Sequence, residues 1–169
     1  LVAGHETTMS QIGNMTYTLL THPGQWAALG ADPGAVTGAV EELLRYNPLL
    51  GSAGFPRIAM EDVELSGVTV RAGETVVASL NAANRDPELF ADAEKLLLDR
   101  AANRHIAFGH GAHHCPGAGL ARMELQEVLR GLLRDFPDLH LAAAPEEVQW
   151  RTGALVRGPR ALPLAWGSR

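Results

Sequence analysis

The stretch "FGHGAHHCPGAGLARMEL", residues 108–125, contains the most chemically distinctive side chains of the sequence. It includes the only cysteine of the chain, Cys115, and three histidines shortly before it. Four glycines surround the cysteine, and apolar residues at helical spacing follow it. A lone thiol in a glycine-rich loop, directly before a predicted helix, is therefore the first candidate for function.

The neighbours of Cys115 narrow the chemistry that this thiol can perform. One cysteine excludes an intrachain disulfide. His113 and His114 directly precede it, and three consecutive residues cannot all turn toward one ion, which disfavours zinc. An inert, buried cysteine remains an alternative. The positive end of the following helix favours a thiolate, and the glycines let a flat or bulky group approach the backbone. A thiolate in this setting is suited to be an axial ligand of haem iron.

Size and charge exclude several other classes of protein. The 169 residues suit one domain with its own core. The formal net charge of −5 gives no reason to expect binding to nucleic acid. No stretch of the sequence approaches the ~20 apolar residues of a membrane span.

Hydrophobic spacing predicts a mainly α protein with small β-sheets, an α+β class. A first helix ends before Pro23, a second begins at Asp32 and ends near Tyr46, and a third follows Cys115 and ends near Asp135. A hairpin over residues 63–70 turns at Ser66-Gly67, and the C-terminal tail is predicted to form short strands. The apolar faces of the three helices are predicted to contain Ile12, Met15, Leu19 and Leu20, then Val36, Val40, Leu43 and Leu44, and finally Leu120, Met123, Leu125, Val128, Leu129, Leu132 and Leu133.

Four stretches together resemble one known family. Residues 108–117, with the pattern FGxGxHxCxG, resemble the haem-binding signature of the cytochromes P450. "AGHETT" (3–8) resembles the central I helix of that family, "ELLR" (42–45) its Glu-x-x-Arg motif, and "WRTGALVRGPRALPLAW" (150–166) the C-terminal end of its soluble bacterial members. The four occur in the family's order. The resemblance implies that residues 1–169 form the C-terminal portion of a single P450 domain, beginning within the I helix, with the N-terminal part absent.

The resemblance also implies a role for individual residues around haem b (heme, iron protoporphyrin IX). Cys115 would be the iron ligand, and Phe108 would pack under the porphyrin in a loop shaped by Gly109 and Gly117. Arg57 and His113 would hold the propionates, with His105 as a weaker candidate. For His105 and for His110 the competing interpretation is a loop histidine in water.

Two pairs of residues have both a functional and a plain structural interpretation. By resemblance, Glu6 and Thr7 would relay protons on the distal side of the haem, beside the small Ala3 and Gly4. However, residues 8–11 also fit a capping box that would start a helix at Thr8. Glu42 and Arg45 lie three residues apart on one helical face and could form a surface ion pair. The resemblance instead implies a buried pair, with Arg45 tied to the loop that precedes the cysteine.

The activity implied is that of a haem-thiolate monooxygenase, which inserts one atom of dioxygen into an organic, apolar substrate in the cytoplasm. A ferredoxin and its reductase, using NAD(P)H, would supply the electrons. Docking candidates are Arg100, Arg104, Arg122 and Arg130, for which solvated surface is the alternative. Substrate contacts are expected from Ala3, Leu49, Leu50, Gly51, Ala154 and Leu155. The rival hypotheses are a truncated, non-catalytic fragment or haem-binding module, and a peroxide-driven enzyme on the same haem.

Three features depart from the family pattern. Leu96-Leu97 and Asn103-Arg104 stand where an aromatic-acid pair and Asn-Pro are common. Pro116 follows the ligand and has no backbone N–H to donate to the sulfur. Since the bacterial members are considerably longer, we also expect apolar surface to be exposed on this chain.

Overall fold

Helices contain more residues than strands in the structure, a computed structural model that describes residues 2–50 and 55–167. The helices are α1 (Val2–Leu20), α2 (Pro23–Ala31), α3 (Val36–Tyr46), α4 (Leu80–Ala83) and α5 (Ala118–Asp135). The strands are β1 (Arg57–Ile58), β2 (Val63–Leu65), β3 (Val68–Val70), β4 (Thr75–Val76), β5 (His140–Leu141) and β6 (Leu164–Ala165). The mainly α class with small sheets is confirmed.

The core lies where α1, α2, α3 and α5 pack together. Its buried apolar side chains include Met15, Leu19, Trp26, Leu29, Val36, Ala39, Val40, Leu43, Leu44, Leu125, Leu129 and Leu133. The predicted apolar face of the second helix is confirmed, because all four of its residues are buried in α3. This packing places the start of α5, and therefore the cysteine loop, against α3.

The apolar face predicted for α5 was partly wrong. Leu120 and Met123 are each 58% exposed. The buried stripe runs instead through Leu125, Leu129 and Leu133, which recur every four residues and face the core. Met123 lies two residues before Leu125, about 200° away around the helix, and so points elsewhere.

The turn between α1 and α3 contains a helix that the sequence analysis missed. Pro23 was expected to stop the first helix, and α1 does end at Leu20, but Pro23 also begins α2. Proline suits the first position of a helix because its fixed φ is helical and its missing N–H would have no partner there. Asp32 then accepts a hydrogen bond from the backbone N–H of Gly34 at 3.1 Å. This bond caps the 3-10 turn Pro33–Ala35, which leads into α3.

Each of the three sheets consists of two antiparallel strands. β2 pairs with β3 in the register Val63↔Val70, and the turn residues Ser66 and Gly67 have φ of 49° and 83°. The predicted hairpin and its turn are therefore confirmed. β1 pairs with β4, and β5 with β6. Within the described residues, none of the helices combines the length and apolarity that crossing a membrane requires.

Candidate functional site

The loop that carries Cys115 is folded by its own backbone. The N–H of Cys115 donates to the carbonyl of Phe108 at 2.9 Å, and that of Gly109 donates to Ile106 at 2.8 Å. Gly109 and Gly111 have φ of 78° and 72°, in the left-handed region that other residues rarely adopt. The glycines at these two positions are therefore required by the path of the loop.

The thiol lies directly before α5 and is half-buried. The N–H of Ala118 donates to the carbonyl of Cys115 at 3.2 Å, which joins the loop to the first turn of the helix. A Cβ added at Gly117 would lie 3.9 Å from the sulfur, so a longer side chain there would crowd it. A single soft donor, a positive helix end and a glycine beside the sulfur fit the axial ligation of a haem by a thiolate.

The proposed propionate partners differ in their surroundings. Arg57 begins β1, and His113 ends the short 3-10 turn Gly111–His113; both residues are exposed. His105, in contrast, has a side chain that is only 2% exposed. Its Nε2 lies 3.0 Å from a carboxylate oxygen of Glu41, and its Nδ1 accepts from the N–H of Ala107 at 3.2 Å. Both ring nitrogens are engaged, so the expectations of a propionate ligand and of a histidine in water are wrong for His105.

The Glu42–Arg45 pair is completely buried, with both side chains 0% exposed. Arg45 donates from Nε and Nη2 to the two carboxylate oxygens of Glu42, each at 2.8 Å. Its guanidinium also donates to the backbone carbonyls of Asn84, Ala93 and Lys95 at 2.8, 2.7 and 3.0 Å. A surface pair is thereby ruled out, and the expected link to the loop preceding the cysteine is present.

Three further donors complete the surroundings of Glu42. The carboxylate accepts from the N–H of Leu97, from Nε of Arg100 and from Nδ2 of Asn103, each at 3.0 Å. Burial raises the pKa of Glu42, but the hydrogen bonds from Arg45, Leu97 and Arg100 outweigh it and hold the pKa below the ordinary value. The roles of Arg100 and Asn103 leave no signal in the sequence, because both residues lie in a segment without periodicity.

The position of Arg100 corrects a second expectation. Its side chain is 7% exposed and paired with Glu42, so it is not a surface for a docking partner. Arg122 is one-third exposed and paired with Glu41 at 2.8 Å. Of the four docking candidates, Arg104 is exposed, and Arg130 is more than one-third exposed and lies 2.6 Å from the carboxylate of Glu127.

Glu6 and Thr7 lie inside α1, near its beginning. Since α1 begins at Val2, Thr8 does not start a helix and the capping-box alternative is wrong. The hydroxyl of Thr7 donates to the carbonyl of Ala3 at 2.6 Å. The half-exposed carboxylate of Glu6 accepts from Nη1 of Arg151 at 3.2 Å, which connects α1 with the C-terminal tail.

Two of the predicted substrate-contacting segments lie side by side. Leu50 pairs with Val156 in an isolated bridge, and the N–H of Arg157 donates to the carbonyl of Leu49 at 2.7 Å. This brings residues 49–50, which are half-buried, next to residues 154–155, which are exposed. Ala3 is exposed at the start of α1, while the expected contact at Gly51 lies outside the described residues.

Large apolar side chains are exposed, as the sequence analysis expected. They include Met9, Phe55, Ile58, Leu120, Met123 and Leu155, which are between 44% and 65% exposed. Several of them belong to the segments that carry the candidate site. The site therefore has an apolar border.

Glu41 contributes to stability in a pH-dependent way. Burial raises its pKa, but hydrogen bonds from His105 and Arg122, with the attraction of their charges, lower it from 4.5 to about 2. Because the folded-state pKa is the lower one, this stability is present above about pH 4.5 and is lost as the pH falls through about 2. We expect the free energy of unfolding to fall by up to about 3 kcal/mol more for the wild type than for Glu41→Gln over that interval. Urea unfolding at a series of pH values measures this difference. An equal dependence of the unfolding free energy on pH in the two proteins would contradict the prediction.

Known proteins resemble this chain in sequence and in structure. The family model "Cytochrome P450" matches residues 35–159. Nocardicin C N-oxygenase of Nocardia uniformis subsp. tsuyamanensis is 55% identical over 166 residues, which are 98% of this chain and 42% of the relative. Mycinamicin IV hydroxylase/epoxidase of Micromonospora griseorubida is 49% identical, with the same coverage of both chains.

A crystal structure of a cytochrome P450 is similar to this chain in its fold. The LnmA cytochrome P450 hydroxylase from the leinamycin biosynthetic pathway of Streptomyces atroolivaceus S-140 superimposes with a TM-score of 0.92 at 57% identity. The match covers 98% of this chain and 42% of that structure. The chain thus spans about two-fifths of the length of the relatives it matches. With its cysteine loop, its buried Glu-x-x-Arg pair and this similarity over nearly its whole length, the chain belongs to the cytochrome P450 family, whose prosthetic group is haem b.

Proposed function

We propose that this chain supplies the thiolate side, and part of the oxygen-activating side, of a haem-thiolate monooxygenase. The observation that carries the proposal is the position of Cys115, half-buried at the start of α5 in a loop closed by its N–H bond to Phe108. When bound, haem b supplies the chemistry in which two electrons and two protons reduce dioxygen, so that one oxygen atom enters the substrate and the other leaves as water.

Residues of this chain would hold the cofactor from several directions. Cys115 would be the axial ligand, and the ring of Phe108 would pack near its sulfur. Arg57 and His113 offer exposed cationic or hydrogen-bonding groups for the anionic propionates. Gly109 and Gly117 carry no side chain, so that a flat group could approach the backbone of this loop.

Glu6 and Thr7 would deliver protons on the other side of the site. The carboxylate of Glu6 is half-exposed and can therefore exchange its proton with solvent. The hydroxyl of Thr7 donates to the carbonyl of Ala3, and its oxygen can accept a hydrogen bond from a proton donor. In a relay the hydroxyl would turn away from Ala3 to give its own proton onward. The acid and the alcohol are thus adjacent groups with complementary parts in a relay.

Surface residues of the chain indicate the class of its substrate and the class of its redox partner. Residues 49–50, which are half-buried, and residues 154–155, which are exposed, give the site an apolar border, which suits an organic substrate with an apolar surface. Electrons would come from a ferredoxin and its reductase, with NAD(P)H as their source. Arg104 and Arg130 are the docking candidates of this chain that reach the surface.

The experiment that tests the proposal is a carbon monoxide difference spectrum of the whole encoded protein, reduced with dithionite. A Soret band at the long wavelength of thiolate-ligated haem supports it. Haem that gives only the short-wavelength band, or a purified protein without haem, overturns it in favour of a non-catalytic haem-binding module or an inert fragment. Turnover with peroxide alone, but not with the ferredoxin system, would favour the peroxide-driven enzyme.

Pro116 leads to a prediction about the electronic state of the thiolate. In Pro116→Leu, a backbone N–H follows the ligand directly, and a hydrogen bond from it would withdraw electron density from the sulfur. We expect the iron reduction potential to rise relative to the wild type. Spectroelectrochemical titration measures it, with Gly119→Ala as the control, because that change alters the first turn of α5 without adding an N–H. A potential that is unchanged or lower in Pro116→Leu would contradict the prediction.

A further inference from the structure

A second group of charged side chains lies beside the cysteine loop and has no part in the proposed chemistry. Glu41 of α3 accepts from Nε and Nη2 of Arg122 of α5 at 2.8 and 3.0 Å. The same carboxylate lies 3.0 Å from Nε2 of His105, in the segment that leads into the loop. We call these three residues the Glu41 cluster. It joins three parts of the chain that are distant in sequence.

The two hydrogen bonds that Arg122 donates to the carboxylate of Glu41 fix the orientation of its guanidinium. Parallel N–H donors can meet both carboxylate oxygens only when the guanidinium lies in one plane with them. In that orientation, the guanidinium carbon lies 4.5 Å from the centre of the Phe108 ring. This is the distance of a cation–π contact, so Arg122 restrains the ring from one side.

His105 restrains the same part of the loop through its backbone. Its Nδ1 accepts from the N–H of Ala107, the residue directly before Phe108. The ring of His105 is nearly fully buried, and its centre lies 6.4 Å from that of Phe108. The side chain of Phe108 and the backbone N–H of the residue before it are therefore both tied to the one carboxylate of Glu41, through Arg122 and His105.

Phe108 in turn is bonded to the residue that carries the thiol. Its carbonyl accepts the N–H of Cys115 at 2.9 Å, which is the bond that closes the loop. Movement of Phe108 would weaken this bond and shift the cysteine. The neighbouring Glu42 holds a different stretch, through Leu97, Arg100 and Asn103, so the two adjacent carboxylates do not duplicate each other.

We propose that Glu41, His105 and Arg122 are positioning residues, which fix the Phe108 ring and the cysteine loop from outside the haem pocket and so keep the sulfur in place as a ligand. The ligand part of this inference rests on the function proposed above. The positioning part depends only on the contacts between Glu41, its two partners and the loop.

The test compares Glu41→Gln and Arg122→Lys with Glu127→Gln in the whole encoded protein. Glu41→Gln removes the charge and keeps the size of the side chain. Arg122→Lys keeps the charge but loses the planar guanidinium with its two parallel donors. Glu127→Gln is the matched control, because it also removes a carboxylate from an arginine pair, but one that is 67% exposed and does not belong to the Glu41 cluster. Amide hydrogen exchange of residues 105–116 reads out the loop with or without bound haem. The second measurement reports how readily the thiolate ligand is lost. It is the rate at which the long-wavelength Soret band of the reduced carbon monoxide complex converts to the short-wavelength band in mild urea.

We expect amide exchange in residues 105–116 to become about tenfold faster in Glu41→Gln, and to accelerate less in Arg122→Lys. In both variants, exchange in α1 should stay as in the wild type. In Glu127→Gln, exchange should be the same as in the wild type. The band conversion should accelerate in the same order. Unchanged exchange in the loop, or equal acceleration throughout the protein, overturns the positioning role. Faster exchange with an unchanged conversion rate overturns the link to the ligand. If the wild type binds no haem, the proposed function fails, and exchange alone still decides whether the cluster fixes the loop.

Discussion

Glu42→Ala is expected to unfold the region around the cysteine loop and to yield protein without haem. The substitution leaves the guanidinium of Arg45 buried at 0% exposure without its anionic partner, and it also removes the acceptor of Leu97, Arg100 and Asn103. Breaking a buried ion pair on one side costs about 3–5 kcal/mol. Since a whole domain is stable by only about 5–15 kcal/mol, this loss is a large share of the total.

Two variants separate the charge of Glu42 from its size and from non-specific effects. Glu42→Gln keeps an acceptor oxygen but not the charge, so an intermediate loss of stability is expected. Glu127→Ala breaks an exposed arginine pair and should change the free energy of unfolding by no more than about 0.5 kcal/mol. Urea unfolding and the ratio of haem to protein after purification are the measurements. A purified Glu42→Ala protein with a full complement of haem and a normal reduced carbon monoxide spectrum would refute the prediction.

The parts of the fold that follow a period could be predicted from the sequence. The apolar face of α3 recurs at helical spacing and is buried as expected, and the hairpin at Ser66-Gly67 alternates and turns as expected. α2 was missed because Pro23 has two meanings, the end of one helix and the first residue of the next, and spacing alone does not choose between them.

The candidate site was predictable only where a motif is local in sequence. The cysteine loop and the Glu42–Arg45 pair are short patterns; the loop lies before α5, and the pair is buried on α3. Glu41 and Glu42 are neighbours on α3, about 100° apart around the helix, and each finds its partners in a different aperiodic stretch. The packing of the loop against α3 determines which carboxylate pairs with Arg100 and which with His105. These pairings cannot be predicted from the spacing of residues in the sequence.

Cys115→Ser is expected to abolish the long-wavelength Soret band while leaving the helical fold in place. Serine has nearly the same size, and a half-buried position tolerates its hydroxyl, so the bond from the backbone of residue 115 to Phe108 should persist. A hydroxyl is a far poorer ligand for haem iron than a thiolate, because it is harder and remains protonated at neutral pH. The expected result is weak haem binding, no thiolate spectrum, and a loss of monooxygenase turnover to background.

The informative comparison for Cys115→Ser is with a neighbouring change that spares the sulfur. His110→Ala alters an exposed residue of the same loop and should keep both the band and the haem content. Far-UV circular dichroism, which reports helix content, should be alike for the wild type and both variants, because α5 keeps its start at Ala118. If Cys115→Ser lost its helices together with its haem, Cys115 would be a packing residue. If it kept the long-wavelength band, the ligand would be another residue. The thiolate ligand is assigned to Cys115 only if the variant is folded and lacks the band, because the loss of the band is then due to the loss of the sulfur.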